Sequence, residues 1–208
     1  GIDRDAASVG PSAHDVNGQV ERFDALSPSA LEAARLWQSA LRATLTSEDE
    51  REIFSTAPAQ GTARLRRAIA HHLRGTRGMN VDPNNIVIGA GAQLLDTMLV
   101  QLLGADKVYA VEDPGYLRLT RIYQAMGCEV RHIPLDVEGV DLSALQNAGA
   151  DVLHLMPSHQ YPTGLVTSIA RRYALLSWAA ERSGRYLIED DFDCELRLAG
   201  KPIPALAS

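Results

Sequence analysis

Tyr186-Leu187-Ile188-Glu189-Asp190-Asp191-Phe192-Asp193-Cys194-Glu195 begins as an apolar run and then releases five acidic residues within seven positions. A short apolar run following a helical segment reads as a buried parallel strand, and its acidic tail as emergence at the carboxyl end of a sheet. In open α/β sheets, ligands settle just outside those carboxyl ends. Carboxylates crowded there repel one another unless something cationic faces them. A solvated acidic loop is the competing reading. Two other segments end at the same sheet edge, which favours the ligand-facing one.

Those segments belong to a strand–helix alternation. The pattern predicts strands at 86–88, 107–111, 129–133 and 151–156, with helices at 94–103, from 117 to about 126, a brief one at 141–145, and one at 170–183 that delivers the Tyr186 strand. Repeated β-loop-α units predict a three-layer α/β/α fold with a mainly parallel sheet. Upstream, residues 25–80 read as a helical segment. Pro28 suits a first helical turn, Ser29 and Glu32 form a candidate capping box, and Ala30, Ala34, Trp37, Leu41 and Leu45 share one face, with Trp37 expected in the core. In the next helix Leu65, Ile69 and Leu73 form the apolar stripe, and Arg64, Arg66, Arg67 and Arg74 the wet face. Adjacent His71 and His72 point apart on a helix and do not make a metal pair. Residues 1–24, small and polar, read as a flexible segment or linker.

Composition narrows the function classes. A hydrophobic share of 46% with 22% charged residues is that of a soluble globular protein, and 208 residues suffice for a real core. The net charge of −6 gives these residues no electrostatic case for binding nucleic acid. Cys128 and Cys194 form no motif, and no apolar run reaches membrane-spanning length, so a reduced cytoplasmic setting without membrane contact is expected.

Three loops carry chemistry. Gly89-Ala90-Gly91-Ala92-Gln93 lies between a strand and a helix, where small residues and free N–H groups suit an anion. It departs from the dinucleotide fingerprint, with Leu94 at the third glycine's place, and a plain strand–helix turn remains its alternative. Asp113-Pro114-Gly115-Tyr116 sets an aromatic ring at a strand end, able to stack on a flat heterocycle or to pack on its own helix. Tyr161-Pro162-Thr163-Gly164 is a turn at the same edge, and the nearby His159 reads as a hydrogen-bonding residue more readily than as a base. An anion-binding helix start, a stacking aromatic and a buried carboxylate together suit a phosphorylated aromatic ring with a protonated nitrogen. Asp190, Asp191 and Asp193 as Mg²⁺ ligands are the alternative from another class, without an accompanying phosphoryl-transfer motif.

From about Ala57 onward the chain resembles the large domain of the class I aminotransferases, the fold type I pyridoxal-phosphate proteins. Pro157-Ser158-His159-Gln160-Tyr161-Pro162-Thr163-Gly164 and Glu189-Asp190-Asp191-Phe192-Asp193-Cys194-Glu195 resemble more specifically the effector domain of the MocR subfamily of GntR transcription regulators. Arg171-Arg172-Tyr173-Ala174-Leu175-Leu176 and Pro202-Ile203-Pro204-Ala205-Leu206 also fit the regulator pattern. The resemblance implies that residues 81–208 are an incomplete pyridoxal-phosphate-binding large domain. Gly91, Ala92 and Gln93 would hold the phosphate, Tyr116 would stack on the ring, and Asp190 would pair with the ring nitrogen.

Tyr161 stands where ordinary aminotransferases have Asn, and Phe192 where the family puts a ring-hydroxyl-binding Tyr. Thr56 replaces a phosphate-reaching Tyr. The family's Schiff-base lysine belongs to a downstream Ser-Lys segment that neither Lys107 nor Lys201 matches, so the resemblance assigns no catalytic residue here. It further implies a piece of a longer protein, with two missing sheet strands, an amino acid or amine as ligand, DNA contacted only through another domain, and a homodimer. Lacking those strands, the 208 residues alone are expected to be poorly stable or to aggregate. A stand-alone aminotransferase is the alternative to the regulator.

Overall fold

The computed structural model of the chain describes residues 28–47, 54–193 and 204–207. Expectations for 1–24, Cys194, Glu195, Lys201, Pro202 and Ile203 lie outside the described residues. The chain divides into two units, one up to Thr56 and one from Ala57 on.

In the first unit, helix α1 is Pro28–Ser47. Ser29 lies within it. Trp37, expected in the core, is 74% exposed, and Leu36, Leu41 and Leu45 are exposed too. Helical periodicity creates an apolar stripe but does not supply the surface that covers it.

The second unit opens with α2, Ala63–Arg77. Thr62 caps it by accepting the Leu65 N–H, and left-handed Gly78 ends it. The expected faces are partly exchanged. Leu65 is exposed, whereas Arg66 is buried. Arg66 Nε donates to the Gly61 carbonyl at 3.3 Å, and Nη1 donates to the Pro83 carbonyl at 2.6 Å and to Asn84 Oδ1 at 3.4 Å. A guanidinium can be buried when acceptors meet its donors. Residues 86–88 do not form the expected strand. After a 3₁₀ turn at Pro83–Asn85, Ile88 N–H donates to the Gln60 carbonyl at 3.0 Å, and no ladder partner exists among the described residues.

From here the alternation is as expected. Helix α3 is Ala92–Leu103, β1 Val108–Asp113, α4 Leu117–Ala125, β2 Glu129–Asp136, β3 Gly139–Val140, α5 Leu142–Asn147, β4 Val152–Leu155, α6 Ile169–Ala180 and β5 Tyr186–Glu189. The sheet order is β3-β2-β1-β4-β5, parallel except for β3. Period-two alternation sorts the strands' side chains to two faces. Ala110, Leu153 and Leu155 pack with Leu145, Leu175 and Trp178 of α5 and α6. Tyr109, Val111 and Val152 pack with Val100, Leu119 and Tyr123 of α3 and α4. The result is the expected three layers. Because β1 connects outward to β2 and the chain then returns to β4 on its other side, the sheet has its topological switch between β1 and β4, where a crevice opens.

Leu153 is fully buried at the centre of one face, and Leu102 is 79% exposed on α3. Leu153→Ala is expected to cost about 2–5 kcal/mol and Leu102→Ala less than about 1 kcal/mol, read from denaturant midpoints of the full-length protein. Equal losses would contradict this assignment of the core.

Candidate functional site

Segments leaving β1, β4 and β5 meet the start of α3 beside this switch point. Gly91, the residue before α3, has φ +94°, a conformation that favours glycine. No atom lies within 4 Å of where a Cβ would sit, so the backbone there is open to a ligand. The helix start presents the N–H groups of its first turn, which have no acceptor within the helix. After β1, Gly115 makes a turn so tight that a Cβ would collide with the Glu112 carbonyl, and the chain then enters α4 at Tyr116. The Tyr116 ring meets that of Tyr161 edge-on, with centroids 5.9 Å apart and planes at 88°.

All seven residues singled out from the sequence come together. Gly91, Ala92, Gln93, Tyr116 and Asp190 line a cavity of about 260 Å³. Ala92, Tyr116, Tyr161, Asp190 and Phe192, with Met156, line an adjoining one of about 400 Å³.

The acidic cluster is divided among different partners. Glu189 pairs with Arg77 at 3.1 Å and accepts the Leu206 N–H at 2.8 Å. Burial holds its carboxyl above the usual range, against the pull of that N–H and of Arg77. Asp191 also pairs with Arg77, and Asp193 with His159, whose ring stacks on Phe192 at 6.1 Å. Asp190 instead reaches the cavity, its Oδ2 3.6 Å from His154 Nε2. The carboxylates therefore do not converge. Asp191 and Asp193 are engaged by Arg77 and His159, and among the described residues no group of three His, Cys, Asp or Glu is arranged to hold a metal ion.

Buried polar residues brace the cavity from behind. His154, 2% exposed, is hydrogen-bonded through Nδ1 to the Tyr123 hydroxyl. Glu112 Oε2 accepts from Met156 N–H at 3.1 Å and Gln160 Nε2 at 3.3 Å. Burial raises the Glu112 carboxyl to about 7 despite those two bonds. Gln160 is itself 1% exposed. Its Nε2 also donates to the Pro114 and Tyr161 carbonyls, and its Oε1 accepts from Thr163 N–H and Oγ1. One amide thus joins the loops that carry Tyr116 and Tyr161. Burial also raises the carboxyl of Asp96, on the wall beside Gln93.

Sequence reasoning passed over Glu112, His154, Gln160, Asp96 and Arg77. His154 left a trace as the one polar residue in an apolar strand, and Glu112 as an acid ending an apolar run. Arg77 left none, because Glu189 lies 112 residues away, and the reach of Gln160 to Pro114, 46 residues back, left none either.

The family model for aminotransferase class I and II matches residues 23–191. The chain belongs to this family. It is 42% identical over 181 residues to the HTH-type pyridoxine biosynthesis transcriptional regulator PdxR of Corynebacterium glutamicum, covering 87% of this chain and 39% of that protein. It is 30% identical to the probable rhizopine catabolism regulatory protein MocR of Rhizobium meliloti, over 70% of this chain and 30% of the relative. Among solved structures it resembles LysN, the alpha-aminoadipate aminotransferase of Thermus thermophilus complexed with N-(5'-phosphopyridoxyl)-L-leucine. That match has a TM-score of 0.64 and 28% identity, and covers 73% of this chain and 39% of the other. This aminotransferase-family chain spans less than two fifths of the length of each of these three proteins.

The upward shift of the Glu112 carboxyl makes stability depend on pH with a definite sign. Unfolded, the group ionises near 4.5; folded, near 7. Between those values the unfolded state loses its proton first, so stability falls as pH rises, by up to about 3 kcal/mol. Glu112→Gln has no proton to lose, and denaturation across pH 4–8 is expected to show this decline flattened. An unchanged slope would place its origin elsewhere.

Proposed function

We propose that this aminotransferase-family chain is part of the effector domain of a GntR/MocR-type transcription regulator that senses an amino acid or amine through pyridoxal phosphate. In this reading the regulator is a cytoplasmic homodimer and contacts DNA through a separate domain. The observation that carries it is Asp190, the strand-end carboxylate that reaches a cavity whose other end is the open start of α3.

The residues present suit the cofactor. The N–H groups of Ala92 and Gln93, reinforced by the α3 dipole and by the open backbone at Gly91, would receive the phosphate. Asp190 would hold a proton on the ring nitrogen, since a carboxylate favours the charged form of a basic partner. His154, itself bonded to Tyr123, would steady Asp190 from the side away from the ligand. Tyr116, braced edge-on by Tyr161, would cover the ring. Phe192 offers a wall without a hydroxyl, so the ring hydroxyl would receive no hydrogen bond there. Pyridoxal phosphate, when bound, supplies an electron sink for chemistry at an amine. The regulator role is supported by the similarity to the transcriptional regulators PdxR and MocR.

Titrating the full-length protein with pyridoxal phosphate tests this reading, with bound cofactor followed by its visible absorbance. Asp190→Ala is expected to weaken binding by roughly tenfold or more, as expected for loss of a charge-assisted bond. Cofactor affinity indifferent to Asp190 would sink the proposed site.

A further inference from the structure

We propose that Arg77 is the positioning residue for Asp190: by holding Glu189 and Asp191 on one side of the β5 end, it commits the carboxylate between them to the cavity. What Asp190 meets there rests on the cofactor reading above; how Asp190 is aimed concerns this chain alone.

Along β5, Leu187 packs with the α5–α6 face of the sheet and Ile188 with the α3–α4 face. Alternation then sends Glu189 towards the first face and Asp190 towards the second. The Asp190 N–H donates to the Leu155 carbonyl at 2.9 Å, which carries the register one residue past the strand. The side chains of Glu189, Asp190 and Asp191 are only 15%, 22% and 18% exposed. Three successive carboxylates at that depth would separate towards water unless a cation held them.

Arg77, with 4% of its side chain exposed, meets this need. Nη2 pairs with Glu189 and Nη1 with Asp191, so the two arms of one planar fork grip the neighbours on either side of Asp190. Nη2 also lies 3.5 Å from Ser158 Oγ, in the loop after β4. The arginine is held at its own end as well. It is the last residue of α2, where the helix dipole favours a cation, and Gly78 stops the helix immediately after it. The other buried guanidinium nearby, that of Arg172, donates to the carbonyls of Thr167, Pro157 and Pro204. Arg172 adds its charge to Glu189 and Asp191, while Arg77 forms direct ion pairs with both residues flanking Asp190. Without those pairs Glu189 and Asp191 would turn outward and rotate the strand end, taking Asp190 off its line to the cavity.

The test uses the full-length protein with Arg77→Met, Arg77→Lys and wild type. Two readouts are taken: hydrogen exchange at the Asp190 amide without cofactor, and the dissociation constant of pyridoxal phosphate from its visible absorbance. Arg77→Met is expected to speed exchange at Asp190 by at least ~10-fold, with β1 and β4 still protected, and to weaken cofactor binding by a similar factor, since small misplacements of a reacting group are costly. Arg77→Lys keeps the charge but loses the fork, and is expected to fall between, which serves the test if the Met variant does not fold. Unchanged exchange and unchanged affinity in the Lys variant, or in a folded Met variant, would overturn the proposal. If wild type takes up no pyridoxal phosphate, the cofactor reading fails, and the exchange at Asp190 still decides whether Arg77 positions it.

Discussion

Charge repulsion at a half-buried strand end is the constraint on which the site depends. Glu189, Asp190 and Asp191 follow one another where β5 leaves the sheet, too deep for water alone to separate their charges. Alternation divides them, and each set then recruits its own partner. Glu189 and Asp191 draw in Arg77 and with it the end of α2, while Glu189 also receives the Leu206 N–H from the far end of the chain. Asp190 faces His154, which leans on Tyr123 beneath α4. Two helices and a terminal segment are thus gathered around a strand end that would otherwise repel itself.

The neighbouring β1 and β4 ends solve a related problem with neutral groups. Glu112 is about as deeply buried as Arg77, and there desolvation outweighs the bonds from Met156 and Gln160 and the influence of His154, moving the carboxyl towards its protonated form. Gln160 then supplies donors and acceptors in one rigid plane, linking Glu112, Pro114, Tyr161 and Thr163. A side chain satisfied on both ends of its amide locks the loops it joins, since any motion would leave a buried polar group unpaired. The aromatic pair Tyr116 and Tyr161 rides on those loops.

What could be read from the sequence was whatever has a local period or a local motif. The strand–helix alternation after 107, the glycine-rich start of α3 and the acidic release after Ile188 each declare themselves within ten residues, and the structure has them at one edge. The misreadings share one cause. Ile86, Val87 and Ile88 are β-formers, yet a strand exists only with a ladder partner, and propensity does not provide one. Trp37 lies on an apolar stripe that stays exposed, and Arg66 was placed on a wet face although three acceptors 5 to 18 residues away await it. Arg77 acts through partners far along the chain, and Gln160 ties its own near neighbours to Glu112 and Pro114, more than 40 residues back, so no local pattern marks either role.

The two halves of the cavity consequently rest on different kinds of support. At the α3 start the groups offered to a ligand are backbone N–H groups, which depend on one glycine conformation and tolerate variety in the side chains around them. Towards Asp190 the groups offered are side chains, each set by a buried network: Asp190 by Arg77 and His154, Tyr116 and Tyr161 by Gln160 and Glu112. Phe192, more than half exposed and set by stacking on His159, is less firmly tied than any of these. An anion would therefore be held by the most robust part of the site, and an aromatic ring by the part whose geometry is most easily altered by a distant substitution. Variation in what the site recognises is accordingly expected to concentrate around Phe192, whose side chain is exposed and lies outside those buried networks.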